Sequence, residues 1–588
     1  MRFVTRPDGR PMTRYAALAH GALLSVVFVL PLLRLGWDQW SQSLVHLVLA
    51  FFGVLGAVLL LLGRSMDLSR LRGALRRYGP FLAVMGGAAF LSTVRSPFPH
   101  SAIPGLLNDF PAVVFFLVAT GVSDGRRADY TRALAGAGVL AVVAALLTPP
   151  GSSAPFTGPL LNPNLLVALV ILTGPLALHY VFTSTSAGVR VFWSLAALSL
   201  AVGFLLSRSL AGFGTVAVQA AVAVGLFWNR DRSGAKKMSL FLGGVGLLLG
   251  IGLFLSQTEW PKLVHGDPDR WTWGLTALKA FAAHPLLGVG PGAFGEAYPL
   301  YRATPWGLNS LYAHNFVLEF LAERGLVGAG ALFLWIGLLL RDAKRGLSRG
   351  TGPGLFLGLM GFCVYNLFHI GFSFPALYWL FFLAGGLAVP CGDVDPAPPP
   401  RKALSIGVVV LGLLFGVLSF ALFRSGQFLS KAQFALSTEQ GPRAQEWVDR
   451  GIWWNRFSPG LYELRAALRL RAQNWDGARA DIDRAVALAP GSAGFRIDAA
   501  ELAVERGDFE EAIRDYEVAT HLLPLKADAW ERWGDLLARQ GRTADADRAY
   551  AGALQALGDP RVLGGDADRR AAETRRVEEK KGKLAHGS

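Results

Sequence analysis

The 588-residue chain is 52% hydrophobic and only 17% charged, with a mean hydropathy of +0.38, which excludes a soluble multidomain protein and points to the membrane class. Its net charge of +15 and pI near 10 do not signal nucleic acid, because the basic residues fall in short clusters between apolar runs rather than on one domain. The two cysteines, Cys363 and Cys391, lie inside and at the end of apolar runs and leave no disulfide framework or CxxC metal site.

The apolar residues come in blocks of roughly 17 to 25, the length of a membrane-spanning helix, whereas a barrel would show short alternating segments. The first block follows Arg2, Arg6, Arg10 and Arg14 and runs to about Leu33 without a small-residue cleavage site, so it reads as a retained span rather than a signal peptide. Spans are expected near 15–34, 43–63, 80–95, 104–122, 131–147, 164–183, 190–206, 211–228, 238–256, 326–340, 354–372, 375–390 and 404–423. With a cytoplasmic N-terminus, the inner connections should hold the Lys and Arg residues. They carry Arg64, Arg70, Arg72, Arg76 and Arg77, then Arg126, Arg127 and Arg132, then Arg190, then Arg230, Arg232, Lys236 and Lys237, then Arg341, Lys344, Arg345 and Arg349, and finally Arg401 and Lys402. The outer connections are poor in such residues, except the long 257–315 stretch with Lys262, Arg270, Lys279 and Arg302.

These blocks divide the chain into a polytopic domain at 1–390, a proline-rich linker at 391–403 (DPAPPPRK), and an additional span at 404–424. The expected fold is all-α: about twelve core spans plus one extra, followed by an α-solenoid. An odd number of spans puts everything after the last one outside the cytoplasm. From Ser458 a 34-residue period appears, the length of one helix-turn-helix unit. Ala478, Ala512 and Ala546 form one step series; Ile482, Tyr516 and Tyr550 form a second; Ala485, Ala519 and Ala553 form a third. Pro490, Pro524, Gly507, Gly541, Trp530 and Gly534 complete a pattern that resembles the tetratricopeptide family over about 100 residues. The repeat domain is placed at 425–560, with 427–457 as a degenerate capping unit and 561–588 as a charged, disordered tail. Such arrays generally bind peptides or partner proteins on a concave face, and the equal alternative here is that the repeats merely shape or dock the outer surface.

Ionisable residues at the edge of a span are functional candidates by default. Arg208, in LLSRSLAGFG between two spans, qualifies, although a snorkelling arginine would look the same. The outer segment Asp267–Gly328 is the most distinctive part of the chain. Its GVGPG core is not a nucleotide loop, because the surrounding strand and βαβ context are missing.

This segment resembles the O-antigen ligase and polymerase family. The resemblance rests on Arg270 before a helix with Trp271 and Trp273; on Pro285, Gly288, Gly290, Gly292 and Phe294; on His314-Asn315; and on Glu319, Glu323, Gly325 and Gly328. Upstream, GPLLNPN at 158–164 looks like the family's G-x-x-x-N-P-N element and Ser207-Arg208 like its S-R element. The family implies glycan transfer from a polyprenyl-pyrophosphate carrier to an acceptor hydroxyl at the outer face of the cytoplasmic membrane. Arg208 and Arg270 suit the leaving pyrophosphate, because fixed guanidinium groups stabilise concentrated negative charge where other transferases use a metal. His314 suits the general base that takes the acceptor's proton.

Asn315, Arg302, Glu296 and Tyr298 are candidates for substrate contact, with Tyr301 beside them, although loop stabilisation is the stronger expectation for Arg302, Glu296 and the two tyrosines. Asn162 and Pro163 are expected to cap and open a span. No metal or cofactor is expected. The expected partners are the lipid-linked glycan donor, an acceptor glycan, lipid A core or protein, the membrane lipids, and a protein on the repeats. A metal-dependent transferase with a monophosphate lipid donor is disfavoured, since its paired acids would fall in Gly36–Ser43, which has only Asp38. A transporter or a non-enzymatic scaffold would not account for the Arg, Gly and His pattern.

Overall fold

The computed structural model describes residues 14–30, 66–148, 162–227, 267–347, 352–390, 401–559 and 567–585, with a few single positions between them. Among these residues 84% are helical and none forms a strand. The apolar part comprises α1 (Arg14–Val29), α2 (Leu68–Arg95), α3 (Pro99–Gly121), α4 (Asp124–Leu147), α5 (Pro163–Thr183), α6 (Ala187–Leu206) and α7 (Leu210–Phe227). It continues with α8 (Pro268–Ala283), α9 (Phe294–Tyr301), α10 (Phe316–Arg345), α11 (Gly352–Tyr365), α12 (Pro375–Ala388) and α13 (Arg401–Ser437).

Among the described residues six helices are long and apolar enough to cross a membrane: α3, α4, α5, α6, α10 and residues Val409–Ser437 of α13. Four shorter apolar helices lie at Ala17–Val29, Leu210–Leu226, Gly352–Tyr365 and Pro375–Ala388. The expected spans at 43–63 and 238–256, and most of the linker at 391–403, fall outside the described residues. The expected span at 80–95 is the second half of α2, whose first half carries Arg70, Arg72, Arg76 and Arg77. The span expected at 354–372 stops at Tyr365. Asn366 still gives its backbone N–H to the Phe362 carbonyl (3.1 Å), which its side-chain amide also reaches (2.8 Å); the ladder then tightens to Leu367 and Phe368 bonding three residues back, and the Asn366 side-chain oxygen accepts the Phe372 N–H (3.2 Å).

The core is built around α5 and α12. Leu165 to Thr173 of α5 are buried on every side, as in a helix at the centre of a bundle, with α4, α6 and α11 packed around it. Helix α12 is buried along its whole length and lies against α3 and α11. Arg127, expected as a cytoplasmic loop charge, donates to the carbonyls of Thr120 (3.2 Å), Leu387 (3.0 Å) and Val389 (2.8 Å), and so closes the C-terminal ends of α3 and α12.

Helix α10 is broken once, at Gly325, where φ is 61° and ψ is −171°. The loop after α8 repairs the gap. Val289 and Gly290 donate to the carbonyls of Ala322 (2.9 Å) and Glu323 (3.0 Å), while Leu326 and Val327 donate to those of Pro285 (2.8 Å) and Leu286 (3.2 Å). Backbone groups freed inside an apolar region are satisfied by protein, as they must be.

The C-terminal part begins on α13, which runs unbroken for 37 residues from the expected added span into the helices that follow it. Helix α14 (Gly441–Trp454) returns antiparallel along its second half. Three helical hairpins follow: α15 (Pro459–Arg471) with α16 (Trp475–Leu488), α17 (Ala493–Arg506) with α18 (Phe509–Leu522), and α19 (Ala527–Arg539) with α20 (Thr543–Gly558). The alanines of the 34-residue step series are completely buried, and Ile482, Tyr516 and Tyr550 nearly so. Gly507 and Gly541 turn the second and third hairpins with φ of 82° and 71°, and Gln473 takes the same left-handed turn in the first. Residues 567–585 are not a disordered tail. They form α21 (Ala567–Ala585), which buries Val577 against the last hairpin and pairs Arg576 and Lys580 with Glu531.

Candidate active site

Two non-glycine residues in the apolar part adopt left-handed backbone: Arg208 (φ 52°) and His314 (φ 55°). Such a conformation costs about 1–3 kcal/mol for a residue with a Cβ and persists only where the surroundings impose it. Arg208 stands at the joint between α6 and α7. The next residue, Ser209, receives the Gly212 N–H at the start of α7 (3.4 Å) and lies 3.1 Å from the Tyr365 hydroxyl. That hydroxyl also reaches the Asn164 side-chain carbonyl at 3.3 Å. Asn162 in turn caps α5 by accepting the Asn164 N–H at 2.8 Å, as expected, with Pro163 in its first turn. The N-P-N element and the residue after the S-R element, about forty residues apart, thus meet through Tyr365.

Arg270 lies in the first turn of α8. Asp267 caps that helix, accepting from the Asp269 and Arg270 N–H groups at 3.2 and 3.3 Å, and its other oxygen faces the Arg270 Nε at 3.3 Å. The far end of the guanidinium donates to the Phe368 carbonyl at 2.8 Å, yet the side chain remains 37% exposed. One turn along α8, Trp273 stacks on the His314 ring with centroids 4.5 Å apart and planes at 26°. Trp271, 72% exposed, points elsewhere.

His314 is fixed from behind. Asn315 caps α10, accepting from Val317 and Leu318 at 3.0 and 3.1 Å, and Glu319 reaches back to accept the Ala313 N–H at 2.8 Å and the Ser373 hydroxyl. The His314 Nδ1 is buried without a hydrogen-bond partner. Burial and the nearby Arg270 guanidinium together hold its imidazole down to about 4, partly offset by Asp267. A second imidazole, His369, adjoins this group: it is buried, stacks on Tyr365 at 4.4 Å, and its Nδ1 also lacks a partner. Burial, then Arg270 and His314, keep it below the ordinary histidine value. Arg270, His314 and His369 are therefore close enough to act on one another electrostatically, and with Trp273 and Tyr365 stacked on the two imidazoles they form one cluster in which burial disfavours the charged form of both histidines.

Residues 193–333, which include Arg208, Arg270 and His314, match the family model described as O-antigen ligase. The match is to an O-antigen ligase domain and covers this segment, not the whole chain. No curated protein matches the chain. Two solved structures share part of it: "Crystal structure of MamA protein" and "Crystal structure of YrrB: a TPR protein with an unusual peptide-binding site". The first is 15% identical over 28% of this chain and 90% of that one, with a TM-score of 0.23. The second is 16% identical over 28% and 84%, with a TM-score of 0.21. Likenesses of this size carry no argument.

The remaining candidates of the ligase domain lie elsewhere or serve the scaffold. Arg302 donates to the His521 and Leu522 carbonyls at the end of α18 (2.7 and 2.5 Å) and to Asn309, so it docks the C-terminal hairpins instead of joining the Arg270–His314 cluster. Glu296 pairs with His100 at 3.2 Å. Tyr298 is fully buried in a small core with Phe98, Ala277 and Phe294, which makes it packing. Asn315 is spent on its cap. Conversely, Tyr365, His369 and Ser209 were not singled out by sequence. Tyr365 and His369 sit in or just after an apolar block, where a lone polar ring reads as core.

Proposed function

We propose that this chain transfers a glycan from a polyprenyl-pyrophosphate carrier to an acceptor hydroxyl at the outer face of the bacterial cytoplasmic membrane, by a single metal-independent inverting displacement. The acceptor oxygen attacks the anomeric carbon as the bond from that carbon to the pyrophosphate oxygen breaks. The pyrophosphate leaves with the electron pair, and the acceptor proton passes to His314. Arg270 and Arg208 are the guanidinium groups that receive the departing charge. The observation that carries this reading is the cluster in which the buried His314 ring, its Nδ1 without a partner, stacks on Trp273 beside a partly exposed Arg270. A neutral imidazole can accept a proton, and an arginine with free donors can bind phosphate oxygens.

The side assignment follows from thirteen crossings with a cytoplasmic N-terminus. It is supported by contacts between the C-terminal hairpins and the same loop that precedes His314, which require both to lie on one side. We read those hairpins as a tetratricopeptide solenoid that stands beside the transfer site. That position favours a growing glycan or a protein hydroxyl as acceptor over a lipid A core alone, since the hairpins offer it a docking surface. The test is incorporation of labelled glycan from a polyprenyl-pyrophosphate donor by the purified chain. Arg270→Ala and His314→Ala should each lower transfer by about 10²-fold or more. Undiminished transfer by either well-folded variant refutes the assignment, and no transfer by the parent chain to any acceptor favours a scaffold.

A further inference from the structure

Helix α13 carries the chain out of the apolar region, and its expected span, 404–423, is about 30 Å long at 1.5 Å per residue, which matches the hydrocarbon thickness. Leu413, Leu414 and Val417 on this stretch are 58–66% exposed, a lipid-facing surface for a span at the edge of the bundle. Phe420 therefore lies within about 5 Å of the hydrocarbon boundary. Just beyond it the helix turns polar with Arg424, which bonds Gln427 at 2.7 Å.

Helix α14 runs back toward that boundary and ends on it. Its last residue, Trp454, meets the Phe420 ring edge to face at 5.3 Å. Trp453 packs on Trp454 at 4.8 Å and is 77% exposed. The flanking cation Arg456 is exposed, and Arg450, exposed as well, pairs with the exposed Glu446 at 2.6 Å. An exposed indole continuous with a lipid-facing helix surface, flanked by arginines at headgroup level, is the arrangement that settles in the interface of a bilayer.

We propose that Trp453 and Trp454, with Arg450 and Arg456, form a lipid-binding foot that seats the C-terminal hairpins on the outer membrane–water interface. The indoles lie at the glycerol level and the guanidinium groups reach lipid phosphates. The foot fixes how far the hairpins stand above the bilayer. This inference rests on α13 crossing the membrane and not on the transfer chemistry.

The full chain is made with Cys363→Ala and Cys391→Ser, and an environment-sensitive fluorophore is attached at Trp453→Cys or, separately, at Phe434→Cys. Phe434 is 69% exposed on the same helix α13, about 20 Å farther from the boundary than Phe420. Each protein is reconstituted in vesicles of phosphatidylethanolamine and phosphatidylglycerol containing a lipid with a nitroxide near its carbonyl groups. The label at 453 should lose about half its emission or more to the nitroxide lipid and little to aqueous iodide, and the label at 434 should do the reverse. A label at Arg456→Cys should follow the one at 453. If position 453 is quenched by iodide as strongly as 434, the foot does not touch lipid. If it is shielded from both quenchers, a protein partner or second copy covers it. Either result overturns the proposal.

Discussion

Arg208 and His314 stand apart from the other candidates in backbone as well as in side chain. Both hold a left-handed φ without being glycine, and in each case neighbouring caps impose it: Ser209 opens α7 and Asn315 opens α10. The H-N and S-R pairs are legible in the sequence, but the capping roles of Asn315 and of Ser209, the residue after the S-R pair, are not, because a cap is recognised only once the helix start is known. His314 also sets a test by pH. A base with its pKa lowered from 6.5 to about 4 stays deprotonated as pH falls, so its competent form persists until pH nears 4. The acid limb of kcat/KM should accordingly fall well below 6.5, near 4 to 5, and Asn in place of His314 should abolish the limb along with most of the activity. A limb that remains near 6.5 in the parent chain would mean that His314 is solvated in the working enzyme or is not the base.

At the scale of elements, the break in α10 joins the glycine-rich loop to the helix that follows His314. A Cβ on Gly325 would stand 2.3 Å from the Leu286 carbonyl carbon, and one on Gly288 would stand 2.2 Å from that of Glu323, so the two glycines let two backbones touch. Gly325→Ala combines this overlap with a left-handed φ and should cost more than about 2 kcal/mol. Thermal unfolding in detergent should show a clear drop in Tm, whereas Gly330→Ala, in the same helix with nothing within 4 Å of its added methyl, should leave Tm unchanged. Equal Tm values for the two variants would remove the break from the account. The glycine spacing is visible in sequence, yet what the glycines touch lies some forty residues away, and no local pattern reports it. The same gap explains α21: its charges read as a solvated tail because Glu531 and Asp535, which neutralise Arg576 and Lys580, belong to another hairpin. The hairpins themselves were legible, since their small residues recur every 34 positions and packing demands them at each recurrence. Spans were legible as apolar blocks, though hydropathy carried one past Tyr365, where the helix ends.

In the whole molecule the ligase domain and the C-terminal hairpins share a loop. Gly491 lies against the Glu296 carbonyl, Trp306 stacks on Trp530 at 5.8 Å, and Arg302 closes the end of α18. Arg561 completes the contact. It is held by Asp559, donates to the Trp306 carbonyl at 2.8 Å, and pairs with Asp269 at 2.9 Å. Asp269 is the residue before Arg270, so this ion pair ties the hairpins to the helix turn that presents the guanidinium. Because the pair is a third to a fifth exposed, solvent screening limits it to about 1 kcal/mol, but any tilt of the first turn of α8 is passed to Arg270 directly. Asp269→Ala and Arg561→Ala should therefore each lower kcat severalfold with little change in KM, and the double variant should be no worse than either single one. Exchanging the charges, Asp269→Arg with Arg561→Asp, should recover part of the loss if the pair acts by holding position. Losses that simply multiply in the double variant would mean the two residues act apart, and the hairpins would then be neighbours of the transfer site without shaping it.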